Sequence, residues 1–381
     1  MGKSRPSPLR VALCAALSAG CGSDWSGAGY SPNDGPESCA ATQDELASSP
    51  PAGAGCAPAF ASGVNVAWLS FASDVPAPRL CDFRALFASV AAAGGPVVRW
   101  WLHTDGSRTP GYDAGGMAQP ITDELVADVR AVLDVARVSG VMLTVSLWSF
   151  DMLRQGPHEE NRLLLTSDAH RQAYLDNVLT PLVRALAGHP ALYAWEAFNE
   201  PEGMSDEFGW TGSTVPMQAI QTTVNWLGDA VHAADPSARF TNGCWSFPAC
   251  SEVGSFKNYY SDAELLRAGG RALGTLDFYQ VHYYTHNGPL ASPFVHPASY
   301  WNLDKPIVIG EFHATESDGV APDELFTHLH DTGYAGAWAW QYANADGGSG
   351  GQVLDFRWPS MQQGLEHLRD QAHASVELRC E

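Results

Sequence analysis

The sequence predicts an α/β protein, a (β/α)8 TIM barrel forming a single catalytic domain. Three observations lead there. Between residues 62 and 372, eight short apolar runs alternate with stretches of helical periodicity, the pattern of a parallel sheet joined by crossover helices. The turn after the first run has no Gly-rich phosphate loop, which argues against an open doubly wound sheet. Polar and aromatic residues gather at the ends of the runs, where such a barrel carries its chemistry.

Taken in order, the first strand is SGVNVAWLSF (62–71), and its helix, CDFRALFASVAAAGG, stops at a Gly pair. The second strand is PVVRWWLH (96–103). Its helix runs from about Thr122 to Ser139, with Leu125, Val129, Val132, Leu133 and Ala136 at helical spacing and Gly140 behind them. VMLTVSLWSF is the third strand. The helix after it starts at Ser167 or Asp168 and continues to Ala187, with a bend expected at Pro181. ALYAWEAFN is the fourth strand and MQAIQTTVNWLGDAVHAA its helix; RFTNGCW is the fifth, followed by DAELLRAGG. LDFYQVHYY, KPIVIGEF and GAWAWQY complete the eight, and PSMQQGLEHLRDQA closes the chain.

The 381 residues, 45% of them hydrophobic, suffice for a sizeable core. A formal net charge of −21, with Lys only at 3, 257 and 305, excludes nucleic acid as a partner, since phosphate binding needs clustered cations. The 13 Trp suit the CH faces of sugar rings. Residues 1–21 read as a signal peptide: Lys3, Arg5 and Arg10, then VALCAALSAG. Cys21 follows at once, so a bacterial lipoprotein signal with a lipid anchor at Cys21 is one reading, although Ser18 stands where such signals prefer Leu. The chain is therefore expected to be secreted or a cell-envelope lipoprotein, with a Gly/Ser/Pro-rich linker over 22–58 and the catalytic domain over 59–381. Six cysteines remain beyond the signal. An even number in an exported protein suggests disulfides. Only Cys244 and Cys250 are close enough in sequence to be paired on that ground; the pairing of Cys39, Cys56, Cys81 and Cys380 stays open.

Reading the strand ends alone gives Arg99 and His103, Trp148 and Asp151, Asn199 and Glu200, Trp245, His282 and Tyr284, Glu311 and His313, Trp338 and Trp340. Two Glu, at the tips of strands four and seven, face each other across a barrel mouth in this reading. One carboxylic acid to protonate a leaving oxygen and one carboxylate to attack the anomeric carbon is what a retaining glycosidase needs, at a separation of about 5–5.5 Å. Taken singly, Glu200 reads as a loop carboxylate and Glu311 as an ion-pair partner of Arg99; together, with an Asn, an Arg, a His and a Tyr beside them, they read as a site. Glu196 lies deeper in strand four and is assigned to a structural ion pair. His103, His286 and His313 offer metal-ligand chemistry, but a metal-dependent barrel hydrolase expects His-x-His at the end of strand one, where NVAWLS has none. No metal and no cofactor is expected, and no G-x-S-x-G elbow occurs.

AWEAFNEP, VHYY, PIVIGEF and GAWAWQY, in this order, resemble clan A of the glycoside hydrolases, and family 5 within it. TSDAHRQAY before YAWEAFNEP, LDFYQ before VHYY, and WQY at 340–342 are similar to endo-β-1,4-mannanases. The resemblance covers about residues 60–345. It implies an enzyme that cleaves a β-1,4-linked polysaccharide, β-mannan ahead of glucan, as a monomer and by double displacement. Alternatives are an endo-β-1,4-glucanase, an exo-acting β-glycosidase of the same family and, more remotely, a non-catalytic carbohydrate-binding barrel.

Carried over position by position, the resemblance implies Glu200 as acid/base and Glu311 as nucleophile. Asn199 would hold a sugar 2-hydroxyl, Arg99 would keep Glu311 ionised, His282 and Tyr284 would order the two Glu, and Trp340 would floor the site with a cis peptide to Gln341. Trp148 and Trp245 join the expected substrate-binding set. A guanidinium and a phenol are expected to lower the pKa of Glu311, and enclosure beside a negative partner to raise that of Glu200. The chain departs from the mannanase pattern after Asn-Glu-Pro, where Glu202 stands in place of Arg.

Overall fold

The computed structural model describes residues 39–49, 56–154, 159–345, 352–355, 357–371 and 378–380. The signal peptide, Cys21 and most of the expected linker lie outside them. Eight parallel strands close a barrel in chain order: β1 (Ala61–Asn65), β2 (Val97–Thr104), β3 (Met142–Ser149), β4 (Leu192–Asn199), β5 (Phe240–Cys244), β6 (Tyr279–Tyr283), β7 (Ile307–Phe312) and β8 (Gly336–Ala339), which pairs back onto β1. Among the described residues no helix is long and apolar enough to cross a membrane.

The barrel has two apolar layers. Its lower interior is closed by residues from the strand starts, among them Ala61, Val97, Met142, Tyr193, Phe278, Val308 and Trp338. A larger layer lies between the strands and the surrounding helices. Helix α3 (Asp123–Val138) shows the local logic: Thr122 caps it by accepting from the Leu125 amide, and Val129, Val132, Leu133 and Ala136, spaced three and four apart, are buried against the sheet. Helix α2 (Leu80–Ala93) ends at Gly94, whose φ of 95° is the left-handed conformation that glycine adopts without penalty.

Three expectations need correction. First, the linker reading runs too far into the chain. Helix α1 (Gln43–Ser48), closed by a Thr42–Glu45 capping box, packs outside α2 and α3; Arg84 binds Glu45 at 2.8 Å and Arg137 donates to the Leu46 carbonyl. A disulfide from Cys39 to Cys81 secures this segment. Second, Cys244 and Cys250 are not joined; both are buried free thiols, and their sulfurs turn toward the Ser246 carbonyl at 3.2 and 3.5 Å. Third, the helix over 168–187 is interrupted by a π turn (Leu175–Leu179) ahead of Pro181, whose nitrogen cannot donate.

Candidate active site

The site is built at the carboxyl ends of β2, β4, β6, β7 and β8. At its centre Arg99, with no exposed surface, uses its whole guanidinium: Nε and Nη2 hold Glu196 at 2.7 and 2.6 Å, Nη2 reaches Asn199 Oδ1 at 2.9 Å, and Nη1 reaches Asn65 Oδ1 at 2.8 Å and Glu311 Oε1 at 2.6 Å. The planar fork makes this possible; an ammonium would hold only part of the set. Glu196 and Asn199 are three residues apart, yet both face Arg99, because the pairing of β4 with β5 shifts between them and breaks the alternation of faces. The close approach also needs Gly243: a Cβ there would lie 2.5 Å from Glu196 Oε1 and 3.0 Å from Arg99 Nη2.

Glu200 follows at once, with φ 45° in the left-handed region, its amide donating to the Gly243 carbonyl at 2.7 Å. A non-glycine residue held there stores backbone strain, and the turn brings the carboxyl over the mouth. Its Oε1 lies 3.0 Å from His282 Nδ1, which is 3.6 Å from Glu311 Oε1; one atom from each of the three side chains falls within 4.8 Å of the others. Tyr284 donates to Glu311 Oε2 at 2.8 Å.

The two carboxyls differ in their surroundings. Burial pushes Glu200 well up, and the negative Glu311, Glu202 and Asp151 push it further against the pull of Arg99. Burial also raises Glu311, with Arg99 and Tyr284 pulling it down. Arg99 and Tyr284 lower Glu311 in the expected direction, but desolvation outweighs them. Their order survives: Glu200 binds a proton more firmly than Glu311. Burial and Arg99 together depress His282, which is neutral.

Two cavities meet at this pair. One of about 470 Å³ is lined by Glu200, Tyr284, Glu311 and the rings of Trp68, Trp101 and Trp340. The other, about 410 Å³, shares Glu200 and Tyr284 and is walled by Phe208, Trp210, Trp245 and His286. The peptide from Trp340 to Gln341 is cis.

Trp148 lies elsewhere, in contrast to the expectation for it. Its ring is fully buried and packs on His103 and Tyr174 at centroid distances of 4.8 and 5.6 Å. Ser146, which donates to Glu196 Oε1, and Ser149, the register partner of Asn199, repeat on β3 the three-residue step of β4, and that step leaves Trp148 outside the cleft. His103 also lies behind the wall, 2.8 Å from Thr109 Oγ1, while His286 stacks on Tyr284 and His313 accepts from Arg357. Glu202 is fully buried, accepting from the Trp245 amide at 3.0 Å and from the Tyr260 hydroxyl. Asn65 was not singled out in the sequence; its signal was a polar residue in the apolar run of strand one.

No protein-family model matches the chain. It is 33% identical to a mannan endo-1,4-β-mannosidase of Mytilus edulis over 84% of its length and 90% of that protein's. A mannan endo-1,4-β-mannosidase of Cryptopygus antarcticus is also 33% identical, over 82% and 86%. Among solved structures, β-mannanase from the blue mussel Mytilus edulis superimposes with a TM-score of 0.75 at 33% identity, covering 84% of this chain and 94% of that one. Endo-1,4-β-mannanase from Eisenia fetida gives 0.72 at 34% identity, over 82% and 91%.

Proposed function

Because the chain belongs to the endo-β-1,4-mannanases of glycoside hydrolase family 5, we propose that it is an exported enzyme that cleaves internal bonds of β-mannan with retention of anomeric configuration. Glu311 is the nucleophile and Glu200 the acid/base. The observation that carries this is the unequal treatment of two facing carboxyls: Glu311 takes charge-stabilising donors from Arg99 at 2.6 Å and Tyr284 at 2.8 Å, whereas Glu200 faces a neutral imidazole at 3.0 Å.

In the first step Glu311 attacks the anomeric carbon as the glycosidic C–O bond breaks, and the Glu200 proton goes to the departing oxygen. Esterification removes the charge of Glu311, so Glu200 ionises more readily and takes a proton from the water that opens the ester. Asn199 is oriented by Arg99 toward the sugar 2-hydroxyl, and Trp340 lies beneath the sugar on the non-leaving side.

Replacing either Glu by Ala is expected to lower turnover on mannan, by about 10²–10⁴ for loss of the proton transfer alone. An activated aryl β-mannoside needs no acid, so Glu200→Ala is expected to be glycosylated quickly and, with azide, to release a β-mannosyl azide. An α-azide would overturn retention, and absence of any azide product would overturn the role of Glu200.

A further inference from the structure

Gln280 and His282 alternate on β6, so both side chains enter the barrel. Both are buried, at 1% and 0% exposure. One end of the Gln280 amide faces Arg99 Nε at 3.1 Å and His282 Nε2 at 3.2 Å; the other faces Glu196 Oε2 at 3.1 Å. Arg99 Nε–H can only donate, and the Glu196 carboxylate can only accept. An NH2 group turned toward Arg99 would set donor against donor and leave the amide oxygen against a carboxylate. With the oxygen toward Arg99 every contact is complementary. Gly310 on β7 makes room for this arrangement: a Cβ there would lie 2.4 Å from Gln280 Cγ and 2.8 Å from Cδ.

The orientation has a consequence for the imidazole. An oxygen facing His282 Nε2 requires the ring hydrogen on that nitrogen. Neutral imidazole has only one N–H, so Nδ1 carries a lone pair and points it at Glu200 Oε1, 3.0 Å away. A hydrogen bond across that gap exists only if Glu200 supplies the proton. A doubly protonated ring would place a second cation beside Arg99 in a buried site, which burial and Arg99 both oppose.

We propose that Gln280 is a positioning residue of the acid catalyst: oriented by the Arg99–Glu196 pair, it fixes His282 as the Nε2–H tautomer and so keeps Glu200 protonated until the glycosidic oxygen takes the proton. The inference rests on the acid/base assignment above. It also serves the second step, because once Glu200 has given up its proton the Nδ1 lone pair faces a carboxylate, and that repulsion favours recovery of a proton from water. The charged groups around Glu200 are Glu311, Glu202, Asp151 and Arg99; His282 and Tyr284 face it uncharged.

The test combines nitrogen-15 NMR of the histidine ring with the pH profile of kcat/KM on mannan oligosaccharides. In the parent enzyme His282 should carry its proton on Nε2. In Gln280→Leu the ring is free to donate from Nδ1 to an ionised Glu200, so the tautomer should change and the alkaline limb should move to lower pH by about one unit, a tenfold loss of activity above it. Gln280→Glu keeps an acceptor toward Nε2 and should hold the limb at or above its parent position. An Nδ1–H tautomer in the parent, or an unmoved limb in a folded Gln280→Leu variant, would overturn the proposal. If Gln280→Leu does not fold, the parent tautomer decides. A Glu200→Gln variant as active as the parent would instead overturn the acid assignment, and the two failures are distinguishable because the NMR signal does not depend on turnover.

Discussion

At the scale of single residues, Glu311 has two donors that can be removed one at a time. Tyr284 lowers the pKa of this carboxyl by donating at 2.8 Å against a burial that raises it. Removing the hydroxyl in Tyr284→Phe therefore raises the Glu311 pKa, and the acid limb of kcat/KM should move to higher pH. A hydrogen bond to a charged group contributes about 1.5–3 kcal/mol, so the limb should move by roughly one to two units; a limb that stays in place would mean that Arg99 alone sets the ionisation. Trp148 offers a second test. With its ring packed on His103 and Tyr174 rather than in the cleft, Trp148→Phe should lower Tm with KM on mannan unchanged, whereas Trp340→Ala should raise KM. Glu200, Glu311 and Tyr284 were legible because each stands at the end of an apolar run, and Arg99 because it is a charge inside one. Trp148 was misplaced because strand-end position says nothing about which face a side chain takes after a broken alternation. Asn65 escaped notice because its partners Arg99 and Gly310 lie 34 and 245 residues away in sequence.

At the scale of elements, the barrel strands and long helices followed their periodicities, and the departures fall where long-range bonds overrule composition. Residues 39–49 look like linker because Ala, Ser and Pro surround them, yet Thr42 and Glu45 are the signature of a capping box. The helix they start is too short to stand alone; it is held by the Cys39–Cys81 disulfide and by Arg84, neither inferable from local sequence. Replacing Cys39 and Cys81 together by Ser should destabilise the fold by about 2–4 kcal/mol and lower Tm, with kcat at room temperature preserved because the bridge lies on the outer face. A Tm equal to the parent's would show that the segment adds nothing to stability. The strand Cys56–Pro58 pairs antiparallel with Leu378–Cys380, with Cys56 and Cys380 as register partners.

At the scale of the whole molecule, the cleft and the charge point to the same kind of substrate. The aromatic rings run from Trp68 and Trp101 through Trp340 on one side of Glu200 to Trp245 and Trp210 on the other, and both cavities share Glu200 and Tyr284. A chain lying across both sides meets aromatic rings in each cavity, and neutral mannan leaves no charge to repel a protein of net charge −21. Two expectations follow. Hydrolysis of a neutral mannan should be nearly independent of added salt, since no long-range attraction exists to be screened at a Debye length of about 8–10 Å. Sugars bound on both sides of the cleaved bond also make interior attack the favoured mode. The viscosity of a mannan solution should then fall well before many reducing ends appear, and mannobiose should be a poor substrate. If reducing ends instead rose in step with released monosaccharide while viscosity held, the enzyme would be working from chain ends, and the Phe208, Trp210 and Trp245 wall would need another role. Trp210→Ala separates the cases: in interior attack it weakens long substrates and spares short aryl mannosides, whose sugars all lie on the Trp340 side of the cleaved bond.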